Sequence, residues 1–266
     1  MNTRRAVFLD VDGTIMQHGR YIPPSAVVAI RVARANGHLM FLSTGRGMAE
    51  LVGEIWDIGF DGAVTNGGSF AAVGDEIVVE TLFTPADVAR IRDHLGELGI
   101  HAYFQSYDRM FALPGLAEMM AARLEGSGLP MKTFHDPAEF DDTAMAKLVF
   151  VTEDAAAAEH ALTELAVDFA VVAGTIPVPF WASGEVAPAG VNKGAAILAL
   201  LAHLDIDPAD AIGIGDNWND AEMFEVCGLS IAMGNAAPGV AELADQVTEA
   251  IDADGIHHAF VRNGLI

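Results

Sequence analysis

The sequence predicts an α/β fold built on a parallel β-sheet with helices on both of its faces. Two observations support this prediction. Short apolar segments alternate with helix-forming segments through the first third of the chain, and the same alternation returns near its C-terminal end. The apolar segments also end in polar or glycine-rich residues, as strands do at the functional edge of an open parallel sheet. The predicted core is therefore a doubly wound, Rossmann-like sheet.

The N-terminal elements follow from the positions of apolar and breaking residues. Residues 6–9 form a short apolar segment typical of a buried strand, and residues 26–36 predict a helix that ends at Gly37. The alternation continues with a strand at 39–42, a helix at 48–57 and a strand at 63–65.

The middle of the chain predicts a smaller α+β domain at residues 83–187, inserted into the parallel-sheet domain. Its predicted helices are 86–98, 116–124 and 155–165, and its predicted strands are 101–105, 109–113, 147–151, 169–172 and 177–182. The first pattern resumes with a helix at 191–204 and strands at 211–214 and 229–233. The parallel-sheet domain is therefore predicted to comprise residues 1–82 and 188–266.

The charge of the chain limits its partners. With 37 acidic against 14 basic residues, the formal net charge of −23 opposes binding to nucleic acid or to an anionic membrane. A small anionic substrate is still compatible, because a metal ion and a few basic residues can reverse the field locally.

The single cysteine, Cys227, excludes an intrachain disulfide and lies in a sequence typical of core packing. The apolar segment after Arg4 and Arg5 is too short for a signal peptide, and no segment approaches transmembrane length. These features predict a cytoplasmic protein.

Asp10 and Asp12 follow the first strand and are two residues apart. If the extended backbone continues to Asp12, both carboxylates face the same side and repel unless a cation or a proton accompanies them. Oxygen ligands of this kind suit Mg²⁺. The alternative interpretation is an acidic turn that ends the strand.

Polar segments follow the other predicted strands at 43–46 (STGR), 66–68 (NGG) and 215–220 (GDNWND). Lys193 opens a predicted helix, where its charge opposes the helix dipole unless it binds an anion. The alternatives are a solvated surface lysine at 193 and a helix N-cap at 216–220.

The ordered motifs DVDGT at 10–14, STGR at 43–46, TNGG at 65–68, GVNKG at 190–194 and GDNWND at 215–220 resemble those of haloacid dehalogenase (HAD) superfamily phosphatases. The resemblance is to the Cof-like branch, which carries a large inserted C2-type cap, and it extends over essentially the whole chain. It implies a Mg²⁺-dependent phosphomonoesterase that hydrolyses small phosphorylated metabolites through an aspartyl-phosphate intermediate. Sugar phosphates are the leading candidate substrates.

The resemblance also implies roles for individual residues. Asp10 is the expected nucleophile and Asp12 the general acid and base. The expected Mg²⁺ ligands are Asp10, the carbonyl oxygen of Asp12 and Asp216, and Asp220 is expected to orient the metal shell or Lys193. The substrate phosphate is expected to contact Val11, Thr44, Gly45, Lys193 and Asn219.

Two alternatives remain open at this stage. A phosphosugar mutase or phosphotransferase on the same scaffold would pass the phosphoryl group to a hydroxyl instead of water. A non-catalytic regulator with this fold would be expected to lack a catalytic group, whereas Asp10, Asp12, Thr44, Lys193 and Asp216 are all present.

Overall fold

The computed structural model describes residues 4–17, 19–124, 132–174 and 181–266, and its contacts divide the chain into two compact units. One unit comprises Met1–Arg46, Glu50–Glu80 and Asn192–Ile266. The other comprises Gly47–Ala49 and Thr81–Val191, so that it interrupts the first unit in sequence.

The first unit contains an eight-stranded sheet. Its strands are β1 (Ala6–Leu9), β2 (Leu39–Ser43), β3 (Gly62–Thr65), β4 (Phe70–Val73), β5 (Glu76–Glu80), β11 (Ala211–Gly215), β12 (Leu229–Ala232) and β13 (Gln246–Val247). They lie in the order β13-β12-β11-β1-β2-β3-β4-β5. Neighbours from β13 to β3 are parallel, and β3-β4 and β4-β5 are antiparallel. The predicted α/β fold class is thus confirmed.

Helices cover both faces of this sheet because alternate residues of its buried strands are apolar on each side. Ala6 and Phe8 of β1 belong to the same core cluster as apolar residues of α6 (Lys193–His203) and α7 (Ala221–Val226). Elsewhere in the same unit, α1 (Pro24–Ala35) contacts both β2 and α8 (Gly255–Arg262). Cys227 is buried in the α6–α7 cluster, where burial raises the pKa of its thiol to about 12, which confirms its predicted packing role.

Two predictions for the N-terminal region differ from the structure. The helix predicted at 48–57 is instead a 3₁₀ turn at Met48–Glu50 and a short helix, α2 (Glu54–Ile58), because Gly53 adopts a φ of 75° that a continuous helix cannot contain. The β4–β5 hairpin was missed, although the Gly74-Asp75 pair marks its turn.

The second unit is built on a five-stranded antiparallel sheet in the order β7-β6-β8-β10-β9. Its elements are α3 (Pro85–Glu97), β6 (His101–Gln105), β7 (Met110–Ala112), α4 (Leu116–Leu124), β8 (Lys147–Thr152), α5 (Ala155–Leu165), β9 (Phe169–Ala173) and β10 (Ala182–Pro188). Apolar residues of α3 and α5 share a core with Phe104 and Phe150, whereas α4 packs with Tyr103 and Val149 of the opposite sheet face. Most of the strand predicted at 177–182 lies outside the described residues, and β10 begins at its last position.

None of the described helices combines the length and the apolar character needed to cross a membrane.

Candidate active site

Polar side chains lie at the carboxyl ends of four neighbouring strands of the first unit. Asp10 follows β1, Thr44 follows β2, Asn66 follows β3 and Asp216 follows β11. Because β11, β1, β2 and β3 are parallel neighbours, these residues lie along one edge of the sheet, where open α/β folds bind ligands.

Lys193 is buried between two carboxylates at this edge. Its Nζ atom lies 2.7 Å from Asp10 Oδ1 and 2.5 Å from Asp220 Oδ1, and its side chain is only 1% exposed. Burial acts to lower the pKa of Lys193, but the charges of Asp10 and Asp220 outweigh it and raise that pKa, so the ammonium stays protonated. The alternative interpretation of Lys193 as a solvated surface residue is therefore wrong.

Asp220 positions other groups of the site. Its Oδ1 accepts from Lys193, and its Oδ2 accepts from the backbone N–H groups of Asp216 and Asn217 at 3.0 and 3.1 Å. A Cβ atom on Gly215 would lie 2.3 Å from Asp220 Oδ2, so glycine is needed at that position. Since both oxygens of Asp220 are already engaged, it orients Lys193 and the loop that carries Asp216.

Asp10 and Asp216 have oxygens that suit a divalent cation. One carboxylate oxygen from each of Asp10, Asp216 and Asp220 lies within 4.8 Å of the others. Thr14 Oγ1 donates to Asp216 Oδ1 at 3.1 Å, whereas Asp10 Oδ2 and Asp216 Oδ2 accept no hydrogen bond from any described residue. Three carboxylates against one ammonium leave an excess of negative charge, and hard carboxylate oxygens fit Mg²⁺.

The pKa values show the same excess of negative charge. Burial and then the charge of Asp220 raise the pKa of Asp216 to about 7. Burial also raises the pKa of Asp10, although Lys193 opposes this effect.

A Cβ atom on Gly13 would lie 2.1 Å from Asp216 Oδ2, and Gly13 has a φ of 93°. Gly13 therefore allows the Asp216 carboxylate to approach the β1 loop.

Asp12 lies in a different environment from Asp10. Its carboxylate is 55% exposed and accepts two hydrogen bonds from Arg46, from Nε at 2.7 Å and from Nη2 at 2.6 Å. Because β1 ends at Leu9, the two-residue alternation of a strand does not extend to Asp12, and the two carboxylates do not form the shared cluster expected from their spacing. Arg46 was missed as a site residue, although it lies two positions after Thr44 in the STGR motif.

The predicted phosphate contacts include several groups with unused hydrogen-bonding capacity. Thr44 is buried and its Oγ1 accepts from the Arg46 N–H at 3.1 Å, which leaves its hydroxyl proton available for a ligand. Within the described chain, the Val11 N–H has no acceptor and the buried Asn219 Oδ1 has no donor. Gly45 lies between Thr44 and Arg46 in the same loop.

Gly68 is a second position that sequence reasoning missed. It has a φ of 111°, and a Cβ atom there would lie 2.1 Å from the carbonyl oxygen of Asn192. Asn192 caps α6 by accepting from the Ala195 N–H at 2.8 Å. Gly68 therefore lets the N-cap residue Asn192, and with it the start of α6 at Lys193, pack closely against the turn after β3.

We expect Lys193→Ala to lower the free energy of unfolding of the metal-free protein by about 3–5 kcal/mol, because it leaves Asp10 and Asp220 buried without their cation. Urea unfolding followed by circular dichroism measures this change. The exposed Arg92→Ala substitution is the control and should change stability by about 0.5 kcal/mol or less. A loss for Lys193→Ala no larger than that of the control would contradict a buried ion-pair role.

A profile of the haloacid dehalogenase-like hydrolases matches residues 7–260 of this chain. The chain belongs to that family. This hydrolase is 28% identical over 270 residues to YkrA of Bacillus subtilis (strain 168), provisionally named a phosphatase, with 98% of each chain covered. It is 27% identical over 262 residues to a phosphoglycolate phosphatase of Methanothermobacter thermautotrophicus, with 97% of this chain and 98% of the relative covered.

A solved structure shares the fold of this hydrolase over its whole length. The HAD subclass IIB sugar phosphatase BT4131 superposes with a TM-score of 0.81 at 24% sequence identity, covering 98% of this chain and 100% of that one. The match of the family profile to residues 7–260 confirms the resemblance inferred from the motifs at the level of the superfamily.

Proposed function

We propose that this hydrolase is a Mg²⁺-dependent phosphomonoesterase that acts on small phosphorylated metabolites through an aspartyl-phosphate intermediate. The observation that carries the proposal is the buried Asp10 carboxylate, 2.7 Å from the Lys193 ammonium and grouped with the Asp216 carboxylate. This arrangement combines a nucleophile, a fixed positive charge and oxygen ligands for a cation.

In the first step, a carboxylate oxygen of Asp10 attacks phosphorus and the ester oxygen of the substrate leaves. The charge on the phosphoryl oxygens is stabilised by the Lys193 ammonium, the Thr44 hydroxyl and the backbone N–H groups of Val11 and Gly45. Asp220 and the loop at Gly68 act earlier, since they hold Lys193 in place before substrate binds.

Asp12 is proposed to protonate the leaving oxygen and then to accept a proton from the water that hydrolyses the aspartyl-phosphate. Arg46 holds the Asp12 carboxylate through two hydrogen bonds and so restricts its orientation. A Mg²⁺ ion would be held by Asp10, the Asp12 carbonyl and Asp216, and when bound it would neutralise the negative charge of the phosphoryl group.

The substrate class rests on charge and on the relatives. Lys193 and a divalent cation would together balance the three carboxylates of the site, so that one small part of a chain with net charge −23 no longer repels an anion. The Methanothermobacter relative is named for a small phosphorylated acid, and BT4131 is described as a sugar phosphatase. Small phosphate monoesters are therefore the proposed substrates, and sugar phosphates are the leading candidates among them. The inserted domain at 83–187 is proposed to be the cap. The cytoplasmic location stays a prediction.

We expect the purified protein to release orthophosphate from such monoesters only when Mg²⁺ is present. Excess chelator should abolish release, added Mg²⁺ should restore it, and Ca²⁺ should fail to replace Mg²⁺ because it prefers more oxygen ligands in a looser geometry. The measurement is free phosphate across a panel of sugar phosphates and phosphorylated acids, without an added acceptor.

The Asp10→Asn variant, purified in parallel, shows how much activity comes from contaminating phosphatases. Full activity in chelator would contradict the metal requirement. Transfer to an added sugar without phosphate release would favour the phosphotransferase alternative.

A further inference from the structure

A second cluster of basic groups lies in the first unit, at the amino ends of β1 and β2. A cavity of about 420 Å³ is lined there by Arg4, Arg31, Arg34, His38, Leu39 and Asp61, among others. The Asp10 and Thr44 groups follow the carboxyl ends of the same two strands. Since the four residues of β1 span about 13 Å, this cavity is separate from the candidate active site.

The charges around the cavity do not balance. Arg34 forms two hydrogen bonds with Asp61 Oδ1, at 3.0 and 2.8 Å, and Asp61 Oδ2 accepts from the Met40 N–H. Within the described ranges, Arg31 donates to the carbonyl oxygens of Asp57 and Ile58, which are neutral, and to no carboxylate. Arg4 is exposed and has no polar partner among the described residues. Two guanidinium charges therefore have no carboxylate partner among the residues that the structure describes.

His38 also lines this cavity. It is 3% exposed, and its Nδ1 accepts from the Arg5 N–H at 3.1 Å, so the ring proton is on Nε2. Burial and then the charge of Arg5 lower the pKa of His38, which keeps the ring neutral. Nε2 is buried and has no partner in the part of the chain that the structure describes. A buried donor without an acceptor is costly, which makes the ring a sensitive reporter of an anion that binds in the cavity beside it.

We infer that this cavity is an anion-binding site for a phosphoryl group, either orthophosphate or the phosphate of a small monoester, bound by the guanidinium groups of Arg4 and Arg31 next to His38. A phosphate monoester carries about −1.5 to −2 charges near pH 7, which matches the two uncompensated guanidinium charges. Guanidinium groups bind phosphate oxygens through paired N–H donors. The volume also falls in the range of small-molecule sites, so it accommodates more than a bare ion.

The test uses metal-free protein that is buffer-exchanged to remove chelator, since chelators are themselves anions. The probe is orthophosphate, added at constant ionic strength against potassium chloride, with ¹⁵N-labelled histidine NMR as the readout. We expect a saturable shift of the His38 ring signals in the wild type. Arg4→Gln should weaken this binding about tenfold, because it removes a charged hydrogen-bond donor without a structural partner.

Two comparisons make the result specific. Arg92→Gln removes a positive charge from an exposed arginine in the second unit and should leave the His38 titration unchanged. Arg4→Gln should also leave phosphate release unchanged, because Arg4 is not part of the candidate active site. Repeating the titration with glucose 6-phosphate identifies the source of the phosphoryl group: tighter binding than orthophosphate indicates a monoester, and equal or weaker binding indicates the free ion.

The inference is overturned if the His38 signals do not saturate, or if potassium chloride produces the same shifts. It is also overturned if Arg4→Gln and Arg92→Gln weaken the titration equally, since the effect would then be one of net charge. These outcomes do not depend on catalytic activity, so they leave the proposed function untouched.

Discussion

Asp10→Asn is expected to reduce phosphate release from every substrate by a factor on the order of 10⁴ or more, because the amide cannot attack phosphorus as the carboxylate does. The loss should be independent of the leaving group, since the nucleophile is needed for aryl and sugar phosphates alike. The variant should fold, because an asparagine oxygen can still accept from Lys193 and the Asp220–Lys193 ion pair is retained. Initial rates with nitrophenyl phosphate and with a sugar phosphate measure the effect.

Asp252→Asn is a matched control, because it makes the same chemical change at an exposed residue in the C-terminal part of the first unit. It should keep wild-type rates. Activity of Asp10→Asn within tenfold of the wild type, with folding shown by circular dichroism, would remove Asp10 from the role of nucleophile.

Asp12→Ala should show a loss that depends on the leaving group. General acid and base catalysis contributes about 10²–10⁴-fold, and a sugar alkoxide needs a proton to leave whereas nitrophenolate does not. The rate of the first step should therefore fall least with the aryl ester. The second step still lacks its base, so nitrophenolate should appear in a burst while the phosphorylated enzyme accumulates. Rapid-quench kinetics and intact-protein mass spectrometry measure these two quantities.

The exposure of Asp12 makes this variant informative about chemistry rather than folding. Its carboxylate is 55% exposed, so its removal leaves no cavity in the core, although the Arg46 guanidinium, which is only 24% exposed, loses its carboxylate partner; circular dichroism therefore checks the folding of the variant. Equal damage to aryl and sugar phosphates, without burst or phosphorylated enzyme, would mean that Asp12 is not the acid and base. Asp220 would be a poor replacement, because its two oxygens already accept from Lys193 and two backbone N–H groups.

The sequence was sufficient for the fold class because the relevant signals are local. Apolar segments such as residues 6–9 and 39–42 are short, buried strands, and each ends in polar residues that a parallel sheet brings to one edge. The antiparallel hairpin after β3 was missed because the prediction depended on strands that alternate with helices, whereas β3, β4 and β5 follow one another without an intervening α-helix. The break at Gly53 depends on a backbone conformation that the apolar pattern does not reveal.

The sequence by itself determined which chemical groups this hydrolase has and in what order they follow its strands. The tertiary structure decided how those groups are paired, because Lys193 and Asp10 are 183 positions apart and their burial depends on packing between distant elements. Packing likewise buries Lys193 as a cation, whereas the sequence alone also allowed a surface residue there. It also pairs the Asp12 carboxylate with Arg46 instead of placing it beside Asp10. It also gave Gly13 and Gly68 their roles, since only the folded chain shows which atom a side chain there would meet. Charge pairing and close approach are properties of neighbours in space, and a linear sequence does not specify those neighbours.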